Sequence, residues 1–365
     1  MKDKDISTRM VKWIRHEANR RYLPRVVMIN SKETGLSPRL CMTALRFNAT
    51  TGKREGEVRC SEQTNEHYYS GVMMCKSAFC CPVCAPRIRA LKAAELNLIV
   101  KAHSDAKGSW GFLTLTTSHS RDDIPAVFLK KMKRAEQGFY GSRRVRTILQ
   151  EAGFIESIKV WEYTYGHAFG WHPHTHQLMA FKGDVDLKRL QRLLYPEWAH
   201  YCEKRGIAVP SRDRGFLLQP GQKCAGYITK MGESAGIGLE MAGGSGKTAK
   251  KGHFQPFDLL DLVVEHGADH WSLKQWIAYC CFTKGSHFVS RYPKLQALYD
   301  LEEAAEWDGD EEEKELSFWV ASFGSDVWEL IVHHKLKGAV LERFNAGEKA
   351  ESVFAWVRDV WRGDA

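Results

Sequence analysis

The run His172-Pro173-His174-Thr175-His176 constrains the fold of this chain more than any other segment. It continues into the apolar residues Leu178, Met179, Ala180 and Phe181, so it reads as a strand entering a core. Side chains in a strand change face at every residue, which sends all three imidazoles to one side. Packing often places one histidine in a strand, but it does not place three at i, i+2 and i+4. Neutral imidazole is the commonest side-chain metal ligand, so the pattern predicts a metal site. Two imidazoles leave coordination positions open for substrate oxygens, as Lewis-acid catalysis requires. A third protein ligand is then expected, and Glu162 is the candidate. It lies in Ile155 to Tyr165, whose alternation reads as a strand, and the turn Gly166 to Gly170 makes a hairpin with the histidine strand.

Tyr227 is followed at i+3 by Lys230, on the same face of a short helix after Gly226. A phenol with an unperturbed pKa of about 10 needs help to act as a nucleophile at neutral pH. A nearby cation lowers that cost or steadies charge on a phosphate. Alone, Tyr-x-x-Lys says little. Beside a metal-binding histidine strand it predicts metal-assisted attack of Tyr227 on a phosphodiester, the nicking of DNA.

Five cysteines, Cys60, Cys75, Cys80, Cys81 and Cys84, crowd together, while Cys41, Cys202, Cys224, Cys280 and Cys281 are scattered and read as small core residues. Cys81-Pro82-Val83-Cys84 is a tight Cys-x2-Cys turn suited to tetrahedral zinc. The expected ligands are Cys60, Cys75, Cys81 and Cys84, with Cys80 able to replace Cys75 and a histidine able to complete the set in place of Cys60. Gly243 to Thr248 ends like a phosphate-binding loop, but Met241 stands where that motif needs its first glycine. It reads as a flexible basic loop.

The net charge of +9 hides an asymmetry. Residues 301–365 hold 7 Lys/Arg against 16 Asp/Glu, which leaves 46 against 28 for residues 1–300. A body that basic expects a polyanion, and nucleic acid is the usual one. No apolar run of about 18 residues predicts a membrane span, and the charged start Met1 to Asp5 argues against a secretory signal, so a cytoplasmic protein is expected.

Helical patterns cover 85–103, 125–149, 186–206 and 256–282; Phe112 to Thr117 is a further strand. Residues 1–55 show no convincing period, and a helical region follows the acidic run Glu302 to Glu315. The expected organisation is a basic zinc-binding segment at 1–107, a catalytic domain at 108–295 and an acidic linker with a helical C-terminal region at 296–365.

With these motifs the chain resembles the rolling-circle replication initiator (Rep) proteins of plasmids and phages, in the HUH endonuclease superfamily. Thr114-Leu115-Thr116 looks like the first family motif, His174 and His176 like its metal pair, and Gly226 to Lys230 like its tyrosine motif. Cys81 to Cys84 and Gln255 to Leu260 are similar to one branch. The resemblance covers about residues 58–295. It implies an α+β fold: a central five-stranded antiparallel sheet flanked by helices, with the histidine strand in the middle. It also implies Mg²⁺ or Mn²⁺ on His174 and His176, beside the structural zinc. Tyr227 would attack the scissile phosphate, stay joined to the DNA 5′ end and release a 3′ hydroxyl as primer. Single-stranded or hairpin origin DNA is the implied partner, with a host helicase and polymerase downstream. His172 and the threonines Thr114 and Thr116 would support the site. Thr175 departs from the bulky apolar residue usual between the metal histidines. A transposase or relaxase would use the same chemistry. A zinc-containing regulator would leave the histidine strand idle, and a small-substrate hydrolase would leave Tyr227 idle.

Overall fold

The structure, a computed structural model, describes residues 8–29, 31–62, 64–221, 252–301 and 316–363. It is a mixed α+β chain that divides into two compact units. One comprises Met1–Ser77, Cys81–Ala85 and Ala305–Ala365, the other Ala78–Cys80 and Pro86–Ala304. These boundaries differ from those expected, because the N-terminal segment and the C-terminal region share one unit.

In the first unit, α1 (Thr8–Tyr22) precedes a small hairpin of β1 (Val27–Ile29) and β2 (Lys32–Thr34). Next come β3 (Phe47–Asn48), β4 (Lys53–Ser61) and β5 (His67–Ser70). Strand β4 is the hub: β3 and β5 pair with it, and so does β11 (Ser317–Gly324) from the far end of the chain. Residues 317–324 were expected to be helical. The strand hides because its register shifts between Trp319 and Ala321 and because Phe318 and Trp319 are exposed, which spoils the alternation. Helix α1 hides for the opposite reason. Its buried face has helical spacing but includes Arg15, His16 and Asn19 beside Trp13 and Ala18. Tyr69 ties the unit together, edge-on to Trp13, Phe323 and Trp328 and donating to the Lys337 carbonyl at 2.9 Å. The helices at Ser325–His333, Lys337–Asn345 and Ala350–Gly363 follow β11.

The second unit holds a five-stranded sheet of β6 (Ser109–Leu115), β7 (Phe154–Gly166), β8 (Gly170–Phe181), β9 (Phe216–Pro220) and β10 (His253–Phe254). Their order is β10-β7-β8-β6-β9, every pair antiparallel. The histidine strand, β8, is in the middle. Helix α2 (Cys84–Asp105) packs Leu96, Ile99 and Val100 against Phe112, Ile158, Leu178 and Ala180 on one sheet face. Burying each of these large side chains contributes about 1.5–3 kcal/mol. The opposite face meets α3 (Pro125–Gly141), which packs with α4 (Arg143–Glu151) and α5 (Leu187–Lys204).

The single helix expected over 125–149 breaks at Ser142, whose hydroxyl caps α4 by accepting from the Val145 N–H. That expected over 256–282 breaks at Gly267, whose φ of 85° suits glycine, giving helices at Pro256–His266 and Trp271–Thr283. Gly170, at φ 78°, closes the turn between β7 and β8 and so sets their register. Among the described residues no helix is long and apolar enough to cross a membrane.

Candidate metal centres

Register does most of the work at the histidine site. Across the β7–β8 pair, Glu162 stands opposite His174, Val160 opposite His176 and Thr164 opposite His172. Residues directly opposite in an antiparallel pair point to the same face, so Glu162 meets both imidazoles. Its carboxylate lies 3.1 Å from His174 Nε2 and 3.4 Å from His176 Nε2. The three ligand atoms all fall within 4.8 Å of one another, so the group can hold one metal ion.

The other ring nitrogens are tied down in ways that turn Nε2 inward. His174 Nδ1–H donates to the His172 carbonyl at 3.4 Å. His176 Nδ1 lies 3.0 Å from the Thr114 hydroxyl, with Thr114 opposite His176 on β6. The His176 ring also stacks on Phe112, 5.2 Å between centroids and 17° between planes. Such contacts fix ring orientation and turn both Nε2 atoms toward the Glu162 carboxylate, where one ion could sit. Burial alone would raise the Glu162 carboxyl, but hydrogen bonds and charge from the two imidazoles outweigh it and hold it well below the usual carboxylate range. It is therefore ionised at any physiological pH.

Around this trio the expected residues fare differently. Thr114 touches His176, whereas the Thr116 hydroxyl donates to the Arg214 carbonyl at 3.4 Å. His172 Nδ1 faces His119 Nδ1 at 3.2 Å, so one ring donates and the other accepts. Burial, His174, His119 and His253 push His172 down to about 3, which keeps it neutral. Tyr227 and Lys230 lie outside the described residues, as do Cys224 and the Gly243–Thr248 loop.

Sequence reasoning passed over His119 and Arg89. Arg89, on α2, donates from Nε to the Ala78 carbonyl at 3.0 Å and lies 4.7 Å from the Phe288 ring centroid. Burial lowers its pKa, while Tyr279 and Glu162 act to raise it. Neither residue belongs to a recognisable spacing, so only the fold could reveal them.

The second centre corrects one expected ligand. Cys75, Cys81 and Cys84 do converge, but the fourth sulfur is that of Cys41 and not Cys60. Cys60 is buried in β4, its Sγ 3.6 Å from Asn65 Oδ1, and burial raises its pKa. Cys80 is not in the group either; it belongs to the second unit, as does Thr283, whose hydroxyl lies 3.3 Å from its Sγ.

Sulfur separations in the cluster are 3.5 Å for Cys81–Cys41, 3.6 Å for Cys41–Cys84 and 3.7 Å for Cys75–Cys84. A tetrahedron with Zn–S bonds of about 2.3 Å has edges of about 3.8 Å, so the four thiols fit that ion closely. Hydrogen bonds from Cys75, Cys81 and Cys84 draw Cys41 far below the usual thiol range, and that thiolate opposes ionisation of Cys75. Such a coupled set gives up its protons most readily to a metal. His16 Nε2 lies 3.0 Å from the Cys41 carbonyl. Cys41 escaped notice because 34 residues separate it from Cys75.

The chain is similar to "Protein rep" of Streptomyces lividans, 23% identical over 315 residues, or 69% of this chain and 68% of that protein. No protein-family model matches the chain, and no solved structure matches it either.

Proposed function

We propose that this chain is a replication initiator that nicks and rejoins single-stranded DNA at a plasmid or phage origin by rolling-circle chemistry of the HUH type. The observation that carries the reading is the Glu162–His174–His176 group, three ligand atoms within 4.8 Å on one face of the sheet. Similarity to "Protein rep" supports a replication role, and the basic balance of residues 1–300 supports a nucleic-acid partner.

Glu162, His174 and His176 would hold the catalytic ion, and two nitrogens with one carboxylate oxygen suit Mn²⁺ at least as well as Mg²⁺. When bound, the ion supplies positive charge beside the scissile phosphate. Thr114 and Phe112 keep the His176 ring in its ligating pose, and ionised Glu162 offsets part of the metal charge. Tyr227 supplies the nucleophile: its phenolic oxygen bonds to phosphorus, the P–O3′ bond breaks, and the phenolic proton ends on the departing 3′ oxygen. Lys230 steadies the phenolate or the phosphate. Cys41, Cys75, Cys81 and Cys84 would hold a structural Zn²⁺, and a host polymerase would extend the freed 3′ end while a host helicase unwinds the duplex.

The test is incubation of the protein with labelled single-stranded DNA from the replicon that carries its gene, with Mn²⁺, and a denaturing gel. A covalent protein–DNA band that needs metal and disappears in Tyr227→Phe is expected. Binding with no covalent band for any strand of that replicon would overturn the reading in favour of a non-catalytic regulator.

A further inference from the structure

Helix α4 carries its charge where a purely structural helix would not. Val145, Ile148 and Leu149 are buried, and the exposed side opens with Arg143, Arg144 and Arg146. Its first turn holds no acidic residue. The helix dipole favours anions at that end, and cations at i and i+3 repel one another, so the arrangement works against helix stability. Arg144 meets Glu197 at 3.4 Å; among the described residues Arg143 and Arg146 form no ion pair. The neighbouring helices add to the imbalance: α3, α4 and α5 together hold eleven Lys/Arg against four Asp/Glu, and Glu136 among the latter is buried on Lys159. A surface that only kept the protein in solution would intersperse both signs.

We propose that the exposed side of α4, centred on Arg143, Arg144 and Arg146, grips the phosphate backbone of duplex DNA flanking the strand that is cut. This rests on the reading above, and it names a second contact on the same substrate. A duplex fits better than a single strand because α4 offers no aromatic side chain, and single-strand sites pair their cations with rings on which bases stack. The surface is separate from the metal centre. Helix α4 packs with α3 on the sheet face opposite the one that carries Glu162, His174 and His176, so the arginines touch DNA away from the scissile phosphate.

The test compares wild type with the triple variant Arg143→Gln, Arg144→Gln, Arg146→Gln in the full chain. Affinity is measured by fluorescence anisotropy across a salt series. The probes are a 20-base-pair duplex of arbitrary sequence and a 20-base single strand. The expected result is a fall of about tenfold or more in duplex affinity, with the slope of log K against log salt shallower by about two to three. Single-strand affinity and metal-dependent cutting of a short single strand stay within about twofold. A control that removes the same charge elsewhere, Lys101→Gln, Lys107→Gln, Lys349→Gln, leaves the duplex affinity near wild type. Unchanged duplex affinity in the triple variant, or an equal fall in the control, would overturn the proposal. A wild-type protein that binds neither probe would instead sink the functional reading.

Discussion

Glu17 accepts from Arg20 at 3.0 Å and from the buried ammonium of Lys337 at 3.1 Å. Burial acts to raise its pKa, yet His16, Lys337 and Arg20 outweigh that and bring it to about 2. A carboxyl depressed in the folded state stabilises the fold above its unfolded pKa of about 4.5 and loses that contribution as pH falls towards 2. Allowing for solvent screening, the contribution is about 2 kcal/mol. Glu17→Gln should therefore flatten the decline of the denaturation midpoint between pH 5 and pH 2. At neutral pH it should destabilise by about 3 kcal/mol, since Lys337 stays buried without its carboxylate. An unchanged acid limb would refute this. The same scale separates the two candidate zinc ligands. Metal analysis should find one zinc in purified wild type and in Cys60→Ser, and none in Cys41→Ser. Retention by Cys41→Ser would return the fourth position to Cys60 or a histidine.

Elements explain why this strand carries a threonine between His174 and His176. The second face of β8 buries Thr175 and Gln177 completely. Gln177 donates to Glu136 Oε1 at 2.8 Å and to the Thr175 hydroxyl at 3.3 Å, and its Oε1 accepts from Tyr140. Glu136 also takes the Lys159 ammonium at 2.7 Å. The strand thus has the candidate metal group in front and a hydrogen-bonded polar network behind, which a bulky apolar residue at 175 would disturb. Gln177→Ala should strip Glu136 Oε1 of its amide donor and the Tyr140 hydroxyl of its Gln177 acceptor, and cost about 2–3 kcal/mol in chemical denaturation. Because the change lies on the opposite face, Mn²⁺ affinity in a calorimetric titration should stay within about threefold. A tenfold loss would show that the two faces are coupled. Strands β6, β7 and β8 were legible in advance because β7 and the histidine half of β8 alternate, β6 and the end of β8 are short apolar runs, and β7 and β8 share a short turn. Strand β11 was not, because a bulge and two exposed aromatics broke its pattern.

At the scale of the whole chain, the first unit is closed by its most distant segments. Strand β11 pairs with β4 from Glu55 to Ser61, and Arg59 reaches the Ser317 hydroxyl and carbonyl at 2.9 Å. Removing residues 302–365 should therefore do more than free an acidic tail. Limited proteolysis should then cut within residues 8–77, and the denaturation transition of that unit should be lost. A truncated protein whose N-terminal segment stays protected would show that β4 folds without its partner.

What the sequence determined by itself were the features set by local repetition. Alternating histidines, a tight Cys-x2-Cys turn and a hairpin with one register place His174, His176, Cys81 and Cys84 without reference to the rest of the chain. Glu162 was also within reach, because a short turn leaves few ways to pair two strands. Tertiary structure alone decided the contacts between segments far apart in sequence: Cys41 with Cys84, His119 with His172, β11 with β4, and Lys337 with Glu17. No local period encodes such pairs. Their closure entropy is met only by the burial of many side chains at once, so they exist only in the assembled fold.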